Sequence, residues 1–183
     1  MKNFPIHVKE GLELRPWTVQ DAPTLFAVID KNRAHLRKWL GWLDESTTVE
    51  QVLDYIAKAL VEYCNEDGLD LGIWYQGQLV GGIGFHAWGG KHRKTSIGYW
   101  LSEEFQHKQI MIDSVRALVT FGFQQLNLNR IEIRCALHND RSHRIPERLE
   151  FHYEGIIRDD EWLYTEFSDS RVYSMLKAQW PSC

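Results

Sequence analysis

The chain has 183 residues, 44% of them hydrophobic and 25% charged with both signs interspersed, which excludes a disordered or tail-like protein and allows one well-buried core. A formal net charge of −4 leaves no basic footprint for nucleic-acid phosphates and suits a cationic partner better. The widely spaced Cys64, Cys135 and Cys183 form no paired motif, residues 1–7 hold no signal-like apolar run, and nothing approaches the roughly 18 to 20 apolar residues of a membrane span, so the expectation is a cytoplasmic single domain over 1–183 with no membrane partner.

Residues 12–17 alternate apolar and polar and are stopped by Pro16, which predicts a first strand. From Pro23 to about Leu40, the positions Leu25, Phe26, Val28, Ile29, Leu36 and Leu40 recur at mostly helical spacing. A second helix follows, with Thr47 and Glu50 as a capping box and Val49, Val52, Leu53, Ile56, Leu60 and Tyr63 on one face until Gly68. Residues 71–75 and 79–85 then read as a hairpin joined by Gln76-Gly77-Gln78. The polar turn Gly89-Gly90-Lys91-His92 leads to a strand over 94–101, in which Ile97, Tyr99 and Leu101 alternate.

The longest helical pattern runs from Ile110 to about Leu126, with Met111, Val115, Leu118, Val119 and Gly122 on one stripe. Residues 131–137 alternate strictly, so strand, helix and strand form a crossover whose two strands should be parallel neighbours. A short helix capped by Asn139 or Asp140 and ending near Leu149, then strands over 153–158 and 172–176, complete the chain. This order predicts an α/β (α+β) architecture, a mixed and mostly antiparallel sheet of six to seven strands with helices on both faces.

Three runs fall in sequence on these elements: Ile97-Gly98-Tyr99-Trp100-Leu101-Ser102, then Gln106-His107-Lys108-Gln109-Ile110-Met111, then Asn139-Asp140-Arg141-Ser142. With Leu14-Arg15-Pro16, Trp39-Leu40-Gly41-Trp42 and Glu161-Trp162-Leu163, they resemble the RimJ/RimL-type N-acetyltransferases of the GNAT superfamily over nearly the whole chain, nearest to the YdaF-like ribosomal-protein-serine acetyltransferases. The resemblance implies a GNAT fold that takes acetyl-CoA as cosubstrate and needs no metal. Residues 106–111 would then hold the pyrophosphate where a helix start leaves unpaired amides and partial positive charge. Trp100, Leu101, Ser102 and Asn139 would contact pantetheine, Ser142 would donate near the sulfur, and Glu161 would act as base.

Glu161 also sits in a solvated acidic run with Asp159 and Asp160, and Ser142 and Asn139 are also good helix-cap residues. Trp39, Trp42, Trp88 and Trp162 offer aromatic faces to a cationic amine, or simply pack the core and rim. The eight histidines show no close ligand spacing, so no metal site is expected.

The departures from the family pattern cluster at the cofactor loop. Gln109 stands at the family glycine, His107 at a position that is often glycine, and Glu150 at the glycine usual before Phe151. A side chain at such a position either forces a different loop path or projects into the phosphate site, while His107 and Lys108 bring positive charge. The leading expectation is an acetyl-CoA-dependent N-acetyltransferase acting on a primary amine, a protein N-terminus ahead of a small amine, in a direct ternary complex. The alternatives are a GNAT-fold pseudoenzyme serving as a binding or regulatory protein, and a self-associating structural protein, exposed strands and aromatic surface being suited to a homodimer.

Overall fold

Alternating side chains draw eight strands into one sheet in a computed structural model that describes residues 4–88 and 90–181. Gly89, Cys183 and the first three residues of the N-terminal stretch lie outside the described residues. The strands are β1 (Ile6–Lys9), β2 (Leu12–Pro16), β3 (Leu69–Tyr75), β4 (Gln78–Phe85), β5 (Lys94–Leu101), β6 (Arg130–Ala136), β7 (His152–Leu163) and β8 (Glu166–Leu176). They lie in the order β1-β2-β3-β4-β5-β6-β8-β7. All neighbours are antiparallel except β5 and β6, which are parallel as the crossover pattern requires. The count exceeds the expected six to seven because β1 has only four residues and shows its pairing with β2 rather than a pattern of its own.

Helices cover both faces, as expected. On one side α1 (Ala22–Lys31), the single turn α2 (Arg33–Leu36) and α3 (Val49–Asn65) enclose Trp17, Leu25, Ile29, Val52, Ile56 and Leu79. On the other, α4 (Ile110–Gln124) and α5 (Asp140–Arg148) pack on the sheet, α4 burying Met111, Val115, Leu118 and Val119 against Leu14, Leu71, Ile83, Ile97 and Ile131. The expected stripe of α4 is thus the core-facing one.

Two expectations need correction. The single helix over 23–40 is broken at Asn32, whose buried side chain donates from Nδ2 to the Val28 carbonyl at 2.8 Å and to the Ser102 hydroxyl at 3.3 Å, while Oδ1 accepts from the Glu103 amide at 2.9 Å. An asparagine that satisfies local and distant backbone at once ends a helix. The cap of α3 is one residue later than read: Thr48 is the N-cap and Gln51 its partner, the Gln51 amide donating to Thr48 Oγ1 at 3.3 Å and Gln51 Oε1 accepting from the Thr48 amide at 3.1 Å.

Asp70 on β3 faces α3, where burial, reinforced by the Glu62 charge and opposed by the Tyr55 hydrogen bond, pushes its carboxyl up to about 6. Its folded value lies above the unfolded one, so the native state is favoured when the group is protonated and loses stability as pH rises from about 4 through about 6. Asp70→Asn keeps an acceptor for Tyr55 and removes the buried charge. Urea denaturation is expected to show a gain on the order of 2 kcal/mol at pH 7.5 that disappears below pH 4, and a pH-independent difference would refute the linkage.

Candidate active site

The sheet opens at one place. β5 and β6 share four rungs, from Lys94 opposite Arg130 to Ile97 opposite Ile133. Beyond them β5 stays with β4 as far as Leu101, and β6 stays with β8 as far as Ala136, so the two strands fork. The Ser102 amide donates to the Val80 carbonyl at 2.8 Å and the Ser96 carbonyl accepts from the His86 amide at 3.0 Å, which sets the alternation along β5. The main-chain groups of Trp100 and Ser102 therefore face β4, and those of Tyr99 and Leu101 face the fork. Of Trp100, Leu101 and Ser102, read as pantetheine contacts at the end of β5 and just after it, Leu101 alone presents free backbone to the opening. Trp100 directs its indole over Gly82, and the buried Ser102 meets Asn32.

At the head of the fork α4 begins. The side chains of Ile110, Met111 and Ile112 are buried, yet among the described residues no acceptor contacts the amides from His107 to Ile112; the first bonded one is the Asp113 amide, on the Gln109 carbonyl at 3.1 Å. Six unpaired donors beside a positive helix end are a ready anion site. His107 has φ 62°, Gln109 φ 61° and Glu150 φ 58°, so the three residues read as standing at family glycines all adopt the left-handed backbone that glycine favours. A different loop path is therefore not forced. The Gln109 side chain is exposed with no hydrogen-bond partner among the described residues, and the Lys108 ammonium lies 4.7 Å from the centre of the Phe105 ring.

Gln106, the first residue of the loop, is held from two sides. Its Nε2 donates to His35 Nε2 of α2 at 2.8 Å and its Oε1 accepts from Arg141 Nη1 of α5 at 2.5 Å. Burial, with the Arg141 and Lys38 charges adding and Glu103 opposing, holds His35 below its ordinary range, consistent with a neutral ring that accepts from the amide.

Deeper in the fork, side chains from β5, β6 and α5 converge. Ser142 Oγ donates to Cys135 Sγ at 3.1 Å and lies 3.1 Å from the Tyr99 hydroxyl, which also reaches the Ser142 carbonyl at 3.2 Å. Burial raises Tyr99 well above its ordinary value, with Cys135 adding, and burial likewise raises the Cys135 thiol. All three groups are neutral donors at physiological pH. Asn139 caps α5 through Oδ1, which accepts from the Ser142 amide at 3.2 Å, and its own amide donates to the Ala136 carbonyl at 2.8 Å. The buried His143 ties the helix to the same carbonyl at 2.9 Å. Neither Tyr99 nor Cys135 was read as a site residue. Each occupies a core-facing position of an alternating strand, and only the register of the two strands brings them to one hydroxyl.

The long hairpin of β7 and β8 forms the outer rim. A bulge between Ile157 and Glu161 carries Asp159 at φ 50°, with its amide on Asp169 Oδ1 at 3.0 Å, and re-aims Glu161. Partial desolvation, with Asp160 beside it, raises the Glu161 carboxyl. At the hairpin tip Tyr164 donates to the Leu40 carbonyl at 2.5 Å and stacks under the Arg37 guanidinium at 3.8 Å, while Arg33 donates to the Leu43 and Ser46 carbonyls at 2.8 and 2.7 Å. These contacts bring the exposed Trp162 next to the 3₁₀ segment Gly41–Glu45, which carries the exposed Trp42, and Trp39 is half-buried just before it. Trp88 does not line this rim; it is buried in the α4-side core, 6.2 Å from Tyr63. Among the described residues no group of three or more His, Cys, Asp or Glu side chains could hold a metal ion.

A forked parallel pair with open helix amides at its head and neutral donors at its base defines an acyl-CoA-binding transferase. The Acetyltransferase (GNAT) domain family matches residues 11–152, and the chain belongs to that family. It is 33% identical over 178 residues to YdaF of Bacillus subtilis (strain 168), named as a candidate ribosomal N-acetyltransferase, covering 97% of each chain. The structure of RimL, a ribosomal L7/L12 alpha-N-protein acetyltransferase in complex with coenzyme A, superposes with a TM-score of 0.90 at 28% identity, over 94% of this chain and 97% of that one. MccE, a microcin C7 self-immunity acetyltransferase in complex with acetyl-CoA and AMP, gives 0.88 at 25%, over 92% and 94%. The protein is an acetyl-CoA-dependent N-acetyltransferase, and nothing in the geometry or the comparisons favours the pseudoenzyme alternative.

Because Gln109 holds a left-handed backbone with no side-chain partner among the described residues, Gln109→Gly should relieve local strain and raise the unfolding free energy by about 1 kcal/mol. Urea denaturation of the two proteins measures it. Equal or lower stability in the glycine variant would show that Gln109 is not strained.

Proposed function

We propose that the protein acetylates the α-amine of a protein N-terminus by direct attack in a ternary complex. The observation that carries this reading is the Ser142 hydroxyl in the fork, bonded to Cys135 and Tyr99 below the open amides of residues 107–112. Pantetheine laid along the free backbone of Leu101 and Tyr99 directs its sulfur toward that hydroxyl. The amine nitrogen forms the new bond to the acetyl carbon as the carbon–sulfur bond breaks; Ser142 gives its proton to the departing thiolate and is restored by the second proton that the nitrogen sheds on becoming an amide, while the neutral Tyr99 hydroxyl holds Ser142 in place. Glu161 takes the proton of the attacking ammonium, directly or through water. Trp39, Trp42 and Trp162 supply the aromatic rim for the cationic end of the acceptor.

The naming of RimL as an alpha-N-protein acetyltransferase supports a protein terminus over a small amine, and a ribosomal acceptor fits a cytoplasmic site of action. That RimL structure carries a disulfide between coenzyme A and one of its cysteines, and here Cys135 places a thiol 3.1 Å from Ser142. The free edges of β1 and β7 suit a homodimer.

Incubation with acetyl-CoA and peptides bearing free N-termini, read by mass spectrometry, should show acetylation at the α-amine; transfer to polyamines alone would overturn the acceptor assignment. Ser142→Ala should lower kcat about a hundredfold with little change in the dissociation constant of acetyl-CoA. Glu161 works as a base only when ionised and titrates above the ordinary carboxylate range, so kcat/KM should fall as pH drops through its raised value. Glu161→Gln should abolish that acidic limb, and an unchanged pH profile would remove Glu161 from the mechanism.

A further inference from the structure

We propose that Arg141 is a pyrophosphate-binding residue, oriented by Gln106 and able to exchange that amide oxygen for the anion. This rests on the cofactor reading above and adds a cation to it from the far side of the fork.

The case begins with charge. Arg141 Nη1 meets the neutral Gln106 Oε1 at 2.5 Å, and no carboxylate among the described residues forms an ion pair with its guanidinium. Two acids near the head of α4 are engaged elsewhere: Asp113 binds Lys9 at 2.6 Å and Arg116 at 3.1 Å, and Glu104 binds Lys31 at 2.7 Å. An exposed arginine with five donors and one amide acceptor is therefore left beside six unpaired backbone amides. Amides and guanidinium come from opposite lips of the opening, the first from the β5–α4 loop and the second from the first turn of α5, so an anion between them is met from both sides.

The geometry of the partner fits release. Gln106 donates to His35 and accepts from Arg141, so its amide orients the guanidinium without neutralising it. A planar guanidinium exchanges one amide oxygen for two phosphate oxygens with a gain in both charge and hydrogen bonds. Lys108, another nearby cation, is a point charge over the Phe105 ring and offers no such fork of donors.

Two acetyl donors separate this role from a structural one. Acetyl-CoA carries the pyrophosphate, and S-acetylpantetheine has the same reacting end without it. Arg141→Gln should raise the dissociation constant of coenzyme A about ten- to a hundredfold while leaving kcat/KM for S-acetylpantetheine within about twofold, and Arg141→Lys should recover part of the coenzyme A affinity. Equal losses with both donors, or unchanged affinity for coenzyme A, would overturn the proposal. Failure of the underlying reading looks different: the folded wild-type protein would then not bind coenzyme A at all.

Discussion

Everything at the site depends on where the parallel ladder between β5 and β6 stops. Each strand keeps its outer partner to its end, β5 with β4 and β6 with β8, so neither can close the gap by bending toward the other without breaking antiparallel rungs. The inner main-chain groups of Tyr99 and Leu101 are consequently left for a ligand. A buried backbone that lacks a partner is unfavourable, which makes the fork a place where an extended, amide-bearing molecule completes the sheet. The start of α4 sits at the head of this gap because the chain must climb from β5 onto the sheet face to make the crossover. Pantetheine-like and phosphate-like recognition thus share one topological cause.

The cradle is held in place from outside the loop itself. Asn32 ends α1 and bonds to both Ser102 and the Glu103 amide, fixing the segment that leads from β5 toward α4. Gln106 is then positioned between α2 and α5. With both ends restrained, His107 and Gln109 adopt left-handed backbone despite their side chains, at a penalty of about 1 kcal/mol or more each. Strain of this kind persists where the surroundings over-determine the path. The same logic applies at Glu150, where the chain leaves α5 and must turn before the buried Phe151.

Much of this was readable from periodicity. The alternations of residues 94–101 and 131–137 and the helical stripe of Ile110 to Gly122 gave the crossover, and the crossover gives the parallel pair. What period cannot give is register. Tyr99 and Cys135 look like core positions until four rungs align them under Ser142. Nor does pattern reveal the break at Asn32, which is set by partners 70 and 71 residues away. The glycine replacements were misleading for a different reason: composition speaks of what a residue prefers, whereas the tethered loop decides what it adopts. The extra strand β1 escaped because four residues carry too little alternation to stand out.

The acceptor side obeys a different rule from the donor side. In the proposed mechanism the donor contacts are main-chain groups and half-buried hydroxyls, set by the sheet, and they tolerate little change. The rim is built from side chains that tie a hairpin tip to a 3₁₀ segment, through Tyr164 on Leu40, Arg37 on Tyr164 and Asp44, and Arg33 on two carbonyls. Such a rim can vary in shape while the fork stays fixed, because these ties join the hairpin tip to the 3₁₀ segment and involve neither β5 nor β6. A bulge shifts the alternation of a strand, so its length decides whether the carboxylate turns toward the fork or away from it. In the proposed mechanism the reacting amine is therefore positioned by the irregularity of one strand, and the reacting thioester by the fork between two others.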